Sequence, residues 1–232
     1  MKIAGATALV TGANRGFGRA LAAELIARGA TVYAGARDPS SVDLPGAIPV
    51  QIDVTDPASI AAAVAAAGDV TILINNAGSM PGADLLTADL DAIRGEFDVH
   101  FFGTLAVTRA FAPRITANGG GAVLNILSAL SWLSFPDAGA YCAAKSAAWS
   151  MTNALRAQLA PDGIRVAGLH VGYMDTDMVA SVTAPKSDPV EIARIAVDGL
   201  ENDLHEILAD EVSRQVQAGL AGGVAALYPS LA

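Results

Sequence analysis

The stretch at residues 11–18, TGANRGFG, constrains the fold of this chain more than any other feature. It follows the apolar run 7–10 and precedes a helical pattern at 17–28. Glycines in such a turn permit positive φ, close approach of a ligand to the backbone and tight packing of the helix on the strand. The helix N-terminus also offers unpaired N–H groups to a pyrophosphate. We predict a strand–turn–helix unit that binds a dinucleotide; a glycine-rich turn without a ligand is the alternative.

Strand and helix patterns alternate along the rest of the chain. The predicted strands are 7–10, 31–36, 48–52, 70–74, 122–127, 165–170 and 205–209. The predicted helices are 17–28, 56–67, 89–115, 141–159, one that opens at Pro189, and 210–220. We expect the long helix 89–115 to be interrupted near Gly95 and Gly103. Strands that alternate with helices favour a parallel sheet covered on both faces, so we predict one α/β domain over residues 1–232.

Composition argues against several classes of protein. The net charge is −9, from 14 Lys and Arg residues against 23 Asp and Glu residues, whereas a nucleic-acid binder needs a basic face. Cys142 is the only cysteine, which excludes an internal disulfide framework and a multi-cysteine metal site. The N-terminus has no signal-peptide pattern, and charges or breakers interrupt the long apolar runs. We predict a cytoplasmic protein without metal, nucleic-acid or membrane partners.

The second strand ends where a dinucleotide site usually carries an acidic residue. That acid, about 20 residues beyond the glycines, binds the ribose hydroxyl of NAD. Ala36 occupies its place and Arg37 follows. Arg37 and Arg15 would pair with the 2′-phosphate of NADP, although Arg37 could also be an exposed loop charge. We therefore predict NADP rather than NAD. Asp53, after the third strand, could accept a hydrogen bond from adenine or cap its own loop.

Tyr141 and Lys145 lie four residues apart, so on a helix they would share one face. A free phenol has a pKa of about 10 and is a poor base at neutral pH. A neighbouring ammonium favours the phenolate, and the tuned phenol could then exchange a proton with a carbonyl or alcohol oxygen. Ser128, after the fifth strand, could hydrogen-bond the same oxygen. The alternative is a solvated Tyr–Lys pair on the edge of an amphipathic helix.

In this order and spacing, these residues resemble the short-chain dehydrogenase/reductase family. The resemblance covers nearly the whole chain, through TGxxxGxG at 11–18, Asp53, NNAG at 75–78, Ser128 and YxxxK at 141–145. It implies a doubly wound Rossmann-type sheet of about seven parallel strands with helices on both faces. It also implies a catalytic Ser–Tyr–Lys set, in which the lysine holds the nicotinamide ribose and lowers the tyrosine pKa. The implied cofactor-binding residues are Gly12, Asn14, Arg15, Gly16, Phe17, Gly18, Arg37, Asp53, Val54, Asn76, Ala77, Gly78, Tyr141, Lys145, Gly172, Met174 and Thr176.

Two places depart from the family pattern. The family usually has Pro-Gly where this chain has Val171-Gly172, while Thr176 still stands at the place of the threonine that contacts the carboxamide. His100 replaces an asparagine that anchors a water feeding protons to the lysine. As a catalytic candidate, its imidazole would replace the amide and titrate at about pH 6.5. The alternative is a core histidine bonded to a backbone carbonyl that a π-bulge or kink near Gly103 leaves free.

The leading hypothesis is an NADP-dependent oxidoreductase that transfers hydride between the nicotinamide and a carbonyl or secondary alcohol, with Tyr141 as general acid/base. The other hypothesis is a dinucleotide-binding sensor or scaffold without turnover. Residues 171–187 lack periodicity and are predicted to form a mobile lid over an apolar cleft. The candidate apolar wall for a small substrate comprises Met80, Trp132, Leu133, Phe135, Tyr173 and Met178.

Assembly is predicted from two helical segments. The segments 101–115 and 143–159 carry many alanine and aromatic residues, more than one sheet face would bury. Family members of similar appearance pair these helices between subunits, which implies a symmetric homodimer or homotetramer. The Gly- and Ala-rich C-terminal tail is predicted to form a surface or subunit contact.

Overall fold

The computed structural model describes residues 1–229, and its centre is a parallel sheet of seven strands. The strands are β1 Thr7–Thr11, β2 Thr31–Ala36, β3 Ala47–Gln51, β4 Ile72–Asn75, β5 Gly121–Ile126, β6 Ile164–His170 and β7 Glu206–Leu208. Their order in the sheet is β3-β2-β1-β4-β5-β6-β7, which runs outward in both directions from the contact between β1 and β4. The doubly wound α/β fold predicted from the sequence is confirmed.

Helices cover both faces of this sheet. They are α1 Gly16–Ala27, α2 Pro57–Ala66, α3 Leu90–Phe97, α4 Thr104–Ala117, α5 Gly139–Leu159, α6 Pro189–Glu201, α7 Glu211–Gly219 and α8 Gly223–Leu227. One apolar cluster packs α1 and α6 on the sheet, and a second packs α2, α4 and α5 on the opposite face. Val10 of β1 belongs to the first cluster and Leu9 to the second, because successive strand residues point to opposite faces. A strand buried on both faces therefore reads as a continuous apolar run.

The loops after β1 and β4 diverge to opposite sides of the sheet and leave a crevice between them. They are tied together at their roots. The hydroxyl of Thr11 accepts hydrogen bonds from the backbone N–H of Asn76 at 3.0 Å and of Ala77 at 2.9 Å. The side-chain amide of Asn76 donates to the Thr11 carbonyl at 2.8 Å. This pairing fixes the relative position of the two loops that border the crevice.

The long helix predicted at 89–115 is interrupted once among the described residues, by a π-helical turn at Asp98–Gly103 between α3 and α4. The interruption expected near Gly95 is wrong, because Gly95 lies inside α3. The one expected near Gly103 is confirmed. A Cβ at Gly103 would lie 2.9 Å from Cγ2 and 3.0 Å from the carbonyl oxygen of Val54, so the helix must pass close to the loop after β3.

The lid predicted at 171–187 contains one short 3₁₀ turn, Asp177–Val179, and a β-bridge between Met174 and Ser187. The C-terminal tail packs back on the molecule as far as Tyr228, whose hydroxyl accepts a hydrogen bond from the N–H of Ser134 at 2.9 Å. The predicted tail contact also includes residues 230–232, which lie outside the described residues. In the described part of the chain, each helix is too short or too polar to cross a membrane.

Candidate active site

A cleft of about 1010 Å³ lies at the carboxyl ends of the central strands. Every residue predicted from the sequence to bind cofactor or to take part in catalysis lines this cleft. They come from the turns after β1 to β4, the π-helical turn, the segment after β5, α5 and the segment after β6. The fold thus brings Gly12 and Thr176, which are 164 positions apart in the chain, to the same cleft.

The glycine turn between β1 and α1 presents its backbone to the cleft. Gly12 has φ +67°, a conformation that favours glycine. A Cβ at Gly12 would lie 3.1 Å from the Cα of Ala77, and a Cβ at Gly18 would overlap the Gly12 carbonyl. Glycine is therefore required at both positions for the turn to pack against the loop after β4.

The N-terminus of α1 fits a pyrophosphate. Its N-cap residue, Arg15, has extended backbone, and within the described residues no side chain caps the helix. The first N–H groups of α1 are therefore available to an anion. Phe17 contributes only its backbone here, because its side chain is 5% exposed and packs in the core between α1 and the sheet.

Position 36, at the end of β2, carries no carboxylate, and an arginine follows it. Ala36 is buried and offers no acceptor, whereas Arg37 is exposed at the cleft mouth. Arg15 is also exposed, and its Nη1 lies 3.5 Å from Oδ2 of Asp177 in the lid segment. Two exposed guanidinium groups thus border the cleft and could hold a phosphate, with Arg15 paired to Asp177.

Asp53 caps its own loop. Its Oδ1 accepts hydrogen bonds from the N–H of Thr55 at 2.9 Å and from the Thr55 hydroxyl at 2.7 Å. These bonds hold the pKa of Asp53 below its usual value, and the charge of Arg37 lowers it further. Contact between Asp53 and adenine stays a prediction, as does the cofactor role of Val54 beside it.

Ser128, Tyr141 and Lys145 converge on one side of the cleft. Ser128 begins a 3₁₀ turn after β5 and is 7% exposed. Tyr141 lies in the first turn of α5, and Lys145 follows one turn later with its Nζ 5.6 Å from the centre of the phenol ring. The Lys145 ammonium donates to the carbonyl of Ile126 at 2.8 Å.

The expected lowering of the tyrosine pKa by Lys145 is wrong for the free protein. Burial raises the pKa of Tyr141, and the hydrogen bond with Ser128 offsets this only in part. The carboxylate of Glu96 raises it further. Burial also lowers the pKa of Lys145 to about 8, although Glu96 acts in the opposite direction. A shared helix face therefore does not suffice to lower the pKa of the phenol, because burial is the largest influence on it.

A buried pair of side chains, His100 and Glu96, lies next to Tyr141. Only His100 was predicted from the sequence. His100 is 3% exposed, and its ring meets the Tyr141 ring edge-on with centroids 5.1 Å apart. Glu96 is 1% exposed and its Oε2 lies 3.2 Å from Nε2 of His100. Glu96 was not among the predicted site residues; the available signal was its position four residues before His100 on one helical pattern.

The substrate side of the cleft is mostly apolar. Of the predicted wall, five residues line the cleft: Met80, Leu133, Phe135, Tyr173 and Met178. Trp132 does not line it, because its ring is buried in a stack on His170, with centroids 3.6 Å apart. Val212 and Val216 of α7 complete the wall and were not predicted. Sequence patterns do not reveal which element folds back over a site.

Sequence comparisons identify relatives over most of the chain. The family model described as short chain dehydrogenase matches residues 6–187. The chain is 33% identical over 220 residues to the D-erythrulose reductase of Gallus gallus, with 89% of each chain covered. It is 32% identical over 240 residues to the trans-4-hydroxycyclohexanecarboxylate dehydrogenase of Sinomonas cyclohexanicum, covering 95% of this chain and 92% of that one.

Comparison with solved structures gives a similar result. A short chain dehydrogenase from Burkholderia cenocepacia J2315, crystallised in complex with NADP, superposes with a TM-score of 0.94. Its sequence is 39% identical, and the match covers 100% of this chain and 99% of that chain.

Proposed function

The chain belongs to the short-chain dehydrogenase/reductase family of NAD(P)-dependent oxidoreductases, and from this premise we propose that it transfers hydride between NADP and the carbonyl carbon of an apolar ketone or the corresponding alcohol. The observation that carries the proposal is the convergence of Ser128, Tyr141 and Lys145 beside a glycine turn in one cleft. Relatives named as reductases and dehydrogenases favour this function over a sensor or scaffold without turnover.

A bound nicotinamide dinucleotide supplies or accepts the hydride. In the reducing direction Tyr141 donates its phenolic proton to the carbonyl oxygen as negative charge develops there. Ser128 donates a hydrogen bond to the same oxygen. The raised pKa of Tyr141 keeps the phenol protonated at neutral pH, as a general acid requires. The Lys145 ammonium stabilises the phenolate that remains after transfer.

The preference for NADP follows from the end of β2. Ala36 removes the carboxylate that would hold a ribose diol, and Arg15 and Arg37 provide charge-assisted hydrogen bonds worth about 1.5–3 kcal/mol each. NADP in the Burkholderia structure supports the same choice. We expect Arg37→Asp to reverse the preference between NADPH and NADH in fluorescence titrations. Arg94→Asp, the same charge change on exposed α3, is the control; equal wild-type affinity for the two cofactors would contradict the assignment.

Turnover is tested by incubating the protein with NADPH and a set of ketones while cofactor absorbance and alcohol product are followed. The set should include cyclic and aromatic ketones, because the wall formed by Leu133, Phe135 and Tyr173 is apolar, and a small sugar such as D-erythrulose. Tyr141→Phe should bind NADPH but lose turnover by about 100-fold or more. Fluorescence changes without NADPH consumption for any ketone would instead establish a binding protein.

A further inference from the structure

Glu96 is the least expected residue of the site, because a carboxylate with an exposed area of 1% is expensive to bury without partners. It projects from α3 towards His100, and Oε2 lies 3.2 Å from Nε2 of the imidazole. Apart from this contact, neither carboxylate oxygen has a hydrogen-bond partner among residues 1–229. His100 is therefore the contact partner of the Glu96 carboxylate in the described structure, and the Lys145 ammonium interacts favourably with the same charge.

The contacts of Nε2 determine the tautomer of His100. Nε2 lies 2.7 Å from the carbonyl oxygen of Ser79, which can only accept a hydrogen bond, and 3.4 Å from the Ser79 N–H, which can only donate one. The shorter contact favours a proton on Nε2. A proton on Nε2 satisfies this oxygen and also faces Oε2 of Glu96. Nδ1 of a neutral imidazole then carries a lone pair. Nδ1 and Cε1 lie beside Gly78, where an added Cβ would meet them at 3.5 and 2.8 Å, and both Gly78 and His100 line the cleft.

We propose that Glu96 and His100 form a carboxylate–histidine dyad in which Glu96 orients the imidazole, so that Nδ1 exchanges the proton of turnover beside Tyr141. Glu96 is a positioning residue that acts through His100. The inference rests on the proposed function, since it assigns the proton path of the same site. Proton transfer to Tyr141 then depends on the buried pair of Glu96 and His100.

The protons balance as follows in the reducing direction. The alcohol O–H bond forms as the Tyr141 O–H bond breaks, and the cofactor supplies the hydride. The Tyr141 phenolate must then regain one proton. Neutral His100 takes a proton on Nδ1 from solvent in the cleft, and the imidazolium then gives that proton to the phenolate. Glu96 stabilises the transient imidazolium, and no other reactant is consumed.

Three titratable groups face His100: Glu96 from its own helical run, and Tyr141 and Lys145 from α5. Burial lowers the pKa of His100 and the Lys145 ammonium lowers it further, whereas Glu96 raises it. The ionisation expected between pH 6 and 7 therefore moves to lower pH. Removal of the Glu96 charge should move it lower still.

The free protein provides the first test. The chain contains only three histidines, so ¹⁵N-labelled imidazoles can be resolved and the His100 signals identified by their loss in His100→Asn. We expect His100 to carry its proton on Nε2 at neutral pH, and Glu96→Gln to shift its titration to lower pH. A proton on Nδ1, or a titration that Glu96→Gln leaves unchanged, would overturn the dyad. Neither outcome bears on whether the chain reduces ketones.

Kinetics provide the second test, with a ketone that the wild-type enzyme turns over. Glu96→Gln should lower kcat for ketone reduction about tenfold, leave the KM for NADPH unchanged, and shift to lower pH the limb on which kcat falls as His100 loses its proton. In a His100→Asn background the same Glu96→Gln change should have no further effect on that limb. An equal loss of kcat in both backgrounds would mean that Glu96 only supports the fold. Should Glu96→Gln fail to fold, the wild-type tautomer decides the question.

Discussion

The ammonium group of Lys145 is buried. It donates a hydrogen bond to the carbonyl of Ile126, and the negative charge of Glu96 stabilises it. Its pKa in the folded protein is about 8, below the ordinary 10.5, so between these values the unfolded chain binds more protons than the folded one. The free energy of unfolding should therefore rise with pH through this window. Below pH 8 the full penalty of burying the charge is present, and above about 10.5 it is absent.

We expect Lys145→Met to stabilise the free protein at pH 7 by about 2 kcal/mol: the pKa shift corresponds to about 3 kcal/mol, and loss of the hydrogen bond to Ile126 offsets about 1 kcal/mol. The stabilisation by Lys145→Met should decrease as pH approaches 10. Urea unfolding of both proteins at pH 7 and 10 measures this, with Lys2→Met on the surface as control. An advantage of equal size at both pH values would show that Lys145 is not a destabilised cation.

The sequence predicts which residues of the site lie close together, but not the direction in which their pKa values shift. The motif spacing is sufficient to place Ser128, Tyr141 and Lys145 in one cleft. The direction of the Tyr141 pKa shift depends on burial, and burial depends on helices that are distant in sequence. Glu96 was missed for a related reason: a glutamate in a helical pattern is ordinarily solvated, and only the packed structure shows it to be buried.

At the level of secondary structure, α3, the π-helical turn and α4 form one helical run that contains two glycines. One glycine has open space around it, and the other is closely packed. Gly95 lies inside α3, where an added Cβ would meet nothing within 4 Å. Gly103 ends the π-helical turn, where an added Cβ would press on Val54. Both glycines weaken a helix in the sequence, and only their neighbours distinguish a tolerated glycine from a required one. Sequence reasoning therefore expected two interruptions where the structure has one.

We expect Gly95→Ala to raise the free energy of unfolding by about 0.5–1 kcal/mol, because alanine favours the helix. Gly103→Ala should lower it by about 1–3 kcal/mol, because the new methyl group must displace Val54 or the turn. Chemical denaturation of the two variants, each the control for the other, measures the difference. Effects of the same sign would mean that the close approach at Gly103 does not constrain the helix.

For the whole molecule, the alternation of strands and helices predicts the parallel sheet with helices on both faces, whereas the doubly wound arrangement was expected from the family resemblance. Strand boundaries differ from the predicted ones by one or two residues, which is the usual uncertainty of such limits. The placement of α7 beside the cleft did not follow, because it depends on tertiary contacts, including one at its N-cap. There Oδ2 of Asp210 accepts a hydrogen bond from the N–H of Gly172 at 2.7 Å, which ties α7 to the start of the predicted lid.

Assembly is the last property of the whole molecule that the sequence predicts. The outer faces of α4 and α5 form a shallow groove with an apolar part and a polar part. The apolar part comprises Ala112, Pro113, Leu155 and Leu159, and the polar part comprises Thr108, Arg109, Thr116, Gln158 and Asp162. Phe102, at the start of this helical run, is 56% exposed although it is a large apolar side chain. Burial of such a surface against a second copy removes apolar area from water, and self-association is normally symmetric.

We expect a dimer or tetramer by light scattering, and a shift towards monomer when Phe102→Glu places a charge at that surface. Leu86→Glu is the matched control, because Leu86 is 95% exposed in the loop between β4 and α3 and does not line the groove between α4 and α5. It should leave the molar mass unchanged. A monomeric wild-type protein would show that there is no subunit contact. If both variants keep the wild-type molar mass, the subunit contact lies elsewhere. The Phe102→Glu variant is a stricter test than the molar mass of the wild-type protein, because it changes the proposed interface at a residue that does not line the cleft.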